Sequence, residues 1–139
     1  MKIKEIMTHT VEVIHPSDTL QNAAEKMRDH DIGFLPVYNG GELIGVLTDR
    51  DIVVRAMAKG ANPRTMLSWE LITSPAIYCF DDQDVEEATR LMRDNQIRRL
   101  VILSRRDKGL VGVVALSDLA LNADGKLTEK VLQKVFEPV

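Results

Sequence analysis

Leu43-Ile-Gly-Val-Leu-Thr-Asp-Arg-Asp51 decides the fold, because it returns as Leu110-Val-Gly-Val-Val-Ala-Leu-Ser-Asp118. Upstream of both stretches the echo continues. Ile32-Gly-Phe-Leu-Pro-Val37 matches Ile97-Arg-Arg-Leu-Val-Ile102, after a slip of about two residues in one turn. Ala23-Ala-Glu-Lys-Met-Arg-Asp29 matches Ala88-Thr-Arg-Leu-Met-Arg-Asp94, and Glu5-Ile-Met-Thr8 matches Glu70-Leu-Ile-Thr73. An internal duplication covering most of a chain sets its architecture before any element is assigned. It predicts a pseudo-twofold cleft between the halves as the place for a ligand.

The chain has 139 residues, one compact domain's worth. A repeat of roughly 60 residues buries only about 60% of its unfolded surface and is marginal alone, so the copies are expected to pack as one cooperative body. Ordinary apolar and charged fractions argue against disorder. A net charge of -3 argues against a general nucleic-acid or anionic-membrane binder. The single Cys79 cannot staple the fold and reads as a buried small hydrophobe. Met1-Lys-Ile-Lys-Glu5 lacks the apolar core of a signal peptide, and no apolar run reaches the length of a membrane span. A reduced, cytoplasmic protein is expected.

Each copy reads as β-α-β-β-α. In the first, Val11-Glu-Val-Ile14 is a short β-rich run, with Ser17 beyond it as an expected helix N-cap. Leu20, Ala23, Ala24 and Met27 recur at helical spacing. Strands follow at 34–38 and 43–47 around the hairpin turn Asn39-Gly-Gly41, then a helix from about Asp49 to Lys59 that stops at Gly60. In the second, a strand at 76–80 precedes Asp82 in the capping place of Ser17. Val85, Ala88 and Met92 line the helix, strands follow at 99–103 and 110–114, and a helix begins near Ser117. The division is 1–60 for the first repeat, 61–66 for a polar linker, 67–123 for the second repeat and 124–139 for a C-terminal amphipathic helix. Leu127, Val131, Leu132, Val135 and Phe136 form its apolar stripe, for docking on its own domain or for a subunit contact.

Chemistry concentrates at Thr48-Asp-Arg-Asp51, where a strand gives way to a helix N-terminus. Thr48 and Asp51 lie about one helical turn apart, and a carboxylate accepts two hydrogen bonds at once, which suits a vicinal diol such as ribose. Thr-x-x-Asp is equally a capping box, and both roles can coexist. The second copy keeps the acid, Asp118, and has Ala115 in place of the hydroxyl, so the two half-sites are not equivalent. Arg98 and Arg99 stand where the first copy has Gly33 and Phe34. Either arginine offers a bidentate phosphate contact or a solvated, ion-paired surface residue. Phe34 and its apolar neighbours form either a wall for a flat base or core. His9, His15 and His30 show no metal spacing and no nucleophile partner, and no enzymatic activity is expected.

Together these motifs resemble a tandem pair of CBS domains (named after cystathionine β-synthase). The resemblance runs from about Glu5 to Ala120 through Ile6-Met7-Thr8, Ala23…Met27, Ile32-x-x-Leu-Pro-Val37 and Gly45-x-x-Thr-x-x-Asp51, all in duplicate. It implies an α+β fold of the α/β type, two β-α-β-β-α repeats packed through their sheets with pseudo-twofold symmetry, commonly dimerising into a flat four-domain module. It also implies an adenosine-containing ligand (AMP, ADP, ATP, S-adenosylmethionine or an NAD-type molecule), no obligatory cofactor, and a signal passed to an effector protein. Thr48 and Asp51 match the family's hydroxyl and ribose-binding acid, and Asp118 matches the acid of the second copy. Arg98 and Arg99 match phosphate-facing positions, and Val11 and Phe34 match positions flanking the adenine. The leading expectation is a homodimeric adenine-nucleotide sensor acting by ligand-dependent conformational change. The alternatives are a ligand-free dimerisation scaffold and, through Arg98, Arg99, Arg105 and Arg106, a single-stranded nucleic-acid binder. The acidic balance and a stock of three Phe, two Tyr and one Trp count against the last.

Overall fold

Each copy opens with a leader, residues 1–9 in the first and 61–76 in the second, that packs into the body of the other. The structure, a computed structural model, describes residues 1–9, 11–122 and 125–135. It falls into two compact units, Glu12–Ala76 (the first-copy unit) and Met1–Val11 with Ile77–Val139 (the second-copy unit). These units cut the chain elsewhere than the repeat boundaries do, because a duplication is defined by sequence and a unit by packing.

The exchange is built from backbone hydrogen bonds that match position for position. Glu5 and Glu70 each accept the N–H that opens a short 3-10 turn, Ile3–Glu5 or Ser68–Glu70. The Met1 carbonyl takes the N–H of Val85 at 3.1 Å, and the Met66 carbonyl takes that of Leu20 at 3.0 Å. Each leader thus satisfies a donor at the start of the other copy's helix, where the helix itself offers no partner. Thr8 then exchanges two bonds with Val113 (2.9 and 3.1 Å), and Thr73 two with Val46 (3.0 and 3.1 Å). Residues 61–66 belong to the same scheme: Pro63 also accepts from Gln21, and Ala61 and Met66 pack on the first-copy core.

In the first-copy unit, α1 (Leu20–His30) buries Leu20, Ala23 and Met27, while Ala24 is exposed. Antiparallel strands β1 (Phe34–Asn39) and β2 (Glu42–Thr48) follow, with Gly40 and Gly41 at positive φ (59° and 86°) in the turn. The chain then enters α2 (Asp49–Asp51), widens into a π turn over Ile52–Ala56, tightens to a 3-10 turn over Met57–Lys59, and stops at Gly60. Leu35, Val37 and Leu47 face α1, and Leu71 of the leader completes this core.

The second-copy unit has a three-stranded sheet of β3 (Tyr78–Phe80), β4 (Arg99–Leu103) and β5 (Leu110–Ala115). Around it stand α3 (Val85–Asn95), α4 (Leu116–Asn122) and α5 (Gly125–Val135), with α5 against α3 and α4. Leu100, Ile102, Val114, Met92, Leu119 and the leader's Ile3 form its core. In the apolar stripe of α5, Leu132 is exposed and Phe136 lies outside the described residues.

Three local expectations are corrected. Val11–Ile14 makes only a bridge from Ile14 to Val37, whereas its counterpart is the strand β3. Parallel pairing one step earlier needs an N–H from position 36, and Pro36 has none; the second copy has Val101 there and keeps the strand. Ser17 is not the cap of α1. Thr19 is, its hydroxyl accepting the Asn22 N–H at 3.1 Å, while the Ser17 hydroxyl sits 2.6 Å from the His15 ring. Asp82 does not cap α3 either, since Asp84 takes the N-cap position without a side-chain bond. Asp82 instead binds Arg105 through two bonds of 2.7 and 3.0 Å, and this guanidinium, which also stacks on Phe80, holds its carboxyl below the usual carboxylate range.

Cys79 is 1% exposed, and burial pushes its thiol up to about 12. A thiol reagent at pH 8 is therefore expected to react about 10²-fold more slowly with the native chain than with the denatured chain, as read by mass spectrometry. Equal rates would place the thiol at the surface.

Candidate functional site

β2 delivers Thr48 in extended conformation to the first turn of α2, and the capping box closes. The Thr48 hydroxyl accepts the Asp51 N–H at 3.1 Å, and the Thr48 N–H donates to Asp51 Oδ2 at 3.0 Å. The cap leaves capacity over: the hydroxyl proton remains to donate, and among the described residues Asp51 Oδ1 has only the Arg55 Nε at 3.7 Å, beyond hydrogen-bond range. The Asp51 side chain is 14% exposed, so a group reaching Oδ1 would bind a carboxylate with little competing water. Phe34, half-buried, pairs across the hairpin with Thr48 and stands beside this turn.

The second copy repeats half of the box. The Ala115 N–H donates to Asp118 Oδ2 at 2.8 Å, so the acid is held as Asp51 is, and no hydroxyl returns a bond. The hydroxyl therefore ties down the helix start rather than the acid. Thr48→Ala is expected to cost about 1 kcal/mol in urea unfolding, and Ala115→Thr to add a comparable amount. Equal and negligible effects would show that neither hydroxyl position caps.

The two half-sites also differ in charge. The Asp49 N–H donates to the Gly33 carbonyl at 3.0 Å, and the Leu116 N–H to the Arg98 carbonyl at 2.8 Å, so Gly33 and Arg98 occupy equivalent places beside the helix start. A Cβ at Gly33 would lie 2.6 Å from Asp49 Oδ2. The first copy thus packs a carboxylate where the second has the buried Leu116 and an arginine. Arg98 and Arg99 are both exposed, and Arg99 pairs with Ala115 across the hairpin.

Phe34, Thr48 and Asp51 accordingly come together in the first-copy unit, and Arg98, Arg99 and Asp118 in the second, which also holds the half-buried Val11. Arg55 and Thr73 were missed. Arg55 Nη1 donates to the Leu71 carbonyl and the Thr73 hydroxyl, both at 3.2 Å, from four residues beyond Asp51. The i,i+4 spacing of Asp51 and Arg55 was legible as a helical ion pair. The contact with Thr73 was not, because it depends on the exchanged leader.

Among the described residues no group of three or more His, Cys, Asp or Glu converges to hold a metal ion, and no helix is long and apolar enough to cross a membrane.

Comparison with known proteins places this geometry. The CBS domain family model matches residues 3–57 and again 68–124. The CBS domain-containing protein YhcV of Bacillus subtilis is 41% identical over 120 residues, covering 86% of this chain and 84% of its own. The crystal structure of Hypoxic Response Protein I with two coordinated zinc ions superposes with a TM-score of 0.79 at 35% identity, covering 88% of this chain and 98% of that one. A CBS domain pair in complex with 5′-methylthioadenosine and S-adenosyl-L-methionine shares the fold, with a TM-score of 0.79 at 24% identity over 91% of this chain and 98% of its own. Two matched segments, each carrying its own strand-to-helix turn with a capping acid, make this chain a tandem CBS-domain pair and a member of the CBS-domain family.

Proposed function

We propose that the protein is a regulatory module that binds an adenosine-type ligand and changes nothing in it chemically. The observation that carries this reading is the Asp51 carboxylate: largely buried, oriented by Thr48, with one oxygen not hydrogen-bonded among the described residues. Asp51 and Thr48 would take the ribose hydroxyls, and Asp118 would do the same in the second copy. In the first-copy unit Phe34 would flank the adenine; in the second-copy unit Arg98 and Arg99 would supply the positive charge a phosphate needs, and Val11 would flank an adenine there. A CBS pair of the same fold holds 5′-methylthioadenosine and S-adenosylmethionine, which supports the ligand class. Signalling would follow from differential affinity for two arrangements of the protein. A cytoplasmic homodimer serving an effector protein fits the reading, and Val53, Val54 and Met57 expose apolar surface for a second copy to bury. The division at 1–60, 61–66, 67–123 and 124–139 is retained as a proposal for the limits of the duplication.

The test is thermal unfolding against AMP, ADP, ATP, S-adenosylmethionine and NAD. A ligand at about 100 times its Kd adds roughly 2.7 kcal/mol, several degrees for a chain of this size. A shift with one compound names the ligand. No shift with any of them overturns the reading in favour of a ligand-free dimerisation scaffold.

A further inference from the structure

Arg55 sits between the Asp51 carboxylate and the segment Leu71–Thr73. On one side, its Nε lies 3.7 Å from Asp51 Oδ1, an attraction without a hydrogen bond. On the other, its Nη1 holds the Leu71 carbonyl and the Thr73 hydroxyl, both at 3.2 Å. Thr73 is in turn bonded twice to Val46 of β2, two residues before Thr48. A closed circuit results: Asp51 to Arg55, Arg55 to the segment Leu71–Thr73, that segment to β2, and β2 back through Thr48 to Asp51. A few residues after Thr73 the chain leaves this unit, whose last residue is Ala76.

The second copy lacks the device. Asn122 stands in the place of Arg55, and its side-chain amide donates to the Asp118 backbone carbonyl at 2.7 Å, within its own helix. Thr8 pairs with Val113 as Thr73 pairs with Val46.

We propose that Arg55 is a positioning residue that transmits the state of the Asp51 carboxylate to the segment Leu71–Thr73, the stretch through which the chain exits the first-copy unit. A guanidinium shared between a carboxylate and two neutral acceptors is held in place partly by the charge. Donors arriving at Oδ1 weaken that pull, Arg55 loosens, and the bonds to Leu71 and Thr73 loosen with it. That a ribose supplies those donors rests on the function proposed above; the coupling itself does not. Coupling is reciprocal, so an occupant that loosens Arg55 binds more tightly once Arg55 is gone.

The deciding experiment needs no ligand. Amide hydrogen exchange at Val46 and Thr73 is measured for the intact chain, Asp51→Asn, Arg55→Gln and the double variant. Asparagine keeps an oxygen for the Thr48 N–H and removes the charge, so the helix start survives. Asp51→Asn is expected to raise exchange at both amides about threefold or more when Arg55 is present, and to leave it unchanged in the Arg55→Gln background. The same effect in both backgrounds, or none in either, overturns the proposal. A parallel titration uses AMP and S-adenosylmethionine as probes. Tighter Asp51-dependent binding by Arg55→Gln, about threefold, supports the coupling, and weaker binding overturns it. Failure of every adenosine probe to bind overturns the ligand assignment alone, and the exchange result still decides the coupling.

Discussion

Asp51→Ala is expected to lower affinity for an adenosine-type ligand by about 10²- to 10³-fold while the chain stays folded. A hydrogen bond to a charged group contributes about 1.5–3 kcal/mol, and a vicinal diol makes two to one carboxylate. Losing both costs roughly 3–4 kcal/mol after partial compensation by water, and each 1.4 kcal/mol is a decade of affinity. The fold loses less. The Asp51 N–H still reaches the Thr48 hydroxyl, so only the Thr48 N–H and the half-exposed Arg55 lose a partner. Asp51→Asn separates the contributions: it preserves the cap and removes the charge that suits two donors. Asp118→Ala, in a half-site without the hydroxyl, is the control for which copy binds. Calorimetry with the compound that shifts unfolding is the measurement. Unchanged affinity in Asp51→Ala with a lost affinity in Asp118→Ala would move the site to the second copy. No loss in either would remove the ribose role from both acids.

The duplication was legible because both copies solve the same local problems with the same residues. Leu35 and Val37 against α1 recur as Leu100 and Ile102 against α3. Each of these helices also ends on a left-handed residue, Asp31 or Gln96 at φ 52°, that turns the next N–H back onto Met27 or Met92. The acids at 51 and 118 were legible for the same reason, as members of a spacing that a cap requires. The differences were harder. Pro36 was visible, yet its effect on Val11–Ile14 follows only from knowing which strand lies beside it. Ser17 and Asp82 are good capping residues in sequence. They lose the position because the true helix starts are set by the carbonyls of Met66 and Met1, more than forty residues away in the first case and more than eighty in the second. Periodicity reports one element's own surface, whereas the exchanged leaders and the Arg55 contacts depend on a long-range pairing that leaves no local pattern.

That pairing makes a prediction whose sign is informative. Gly45→Ala is expected to destabilise the protein by about 3 kcal/mol, the upper end of the usual overpacking range. Inside a strand, replacing glycine by alanine ordinarily stabilises by roughly 0.5–1 kcal/mol, because alanine has less backbone freedom to lose. Here the new Cβ would sit 2.7 Å from the Thr73 carbonyl oxygen and 3.0 Å from Ile72 Cδ1. That oxygen accepts the Val46 N–H, so the leader cannot retreat without giving up the bridge that seats it on β2. Gly112, the equivalent residue of β5, meets a softer obstacle. Its Cβ would approach Met7 Sδ at 2.7 Å and the Thr8 carbonyl oxygen at 2.9 Å, and a methionine side chain swings aside more cheaply than a backbone carbonyl. Gly112→Ala is therefore expected to cost about 2 kcal/mol, less than its twin. Urea unfolding of the two variants measures both values. Destabilisation in that order requires each leader to lie on the other copy's hairpin as described, and a gain in stability from either substitution would show that the leader does not cover that strand.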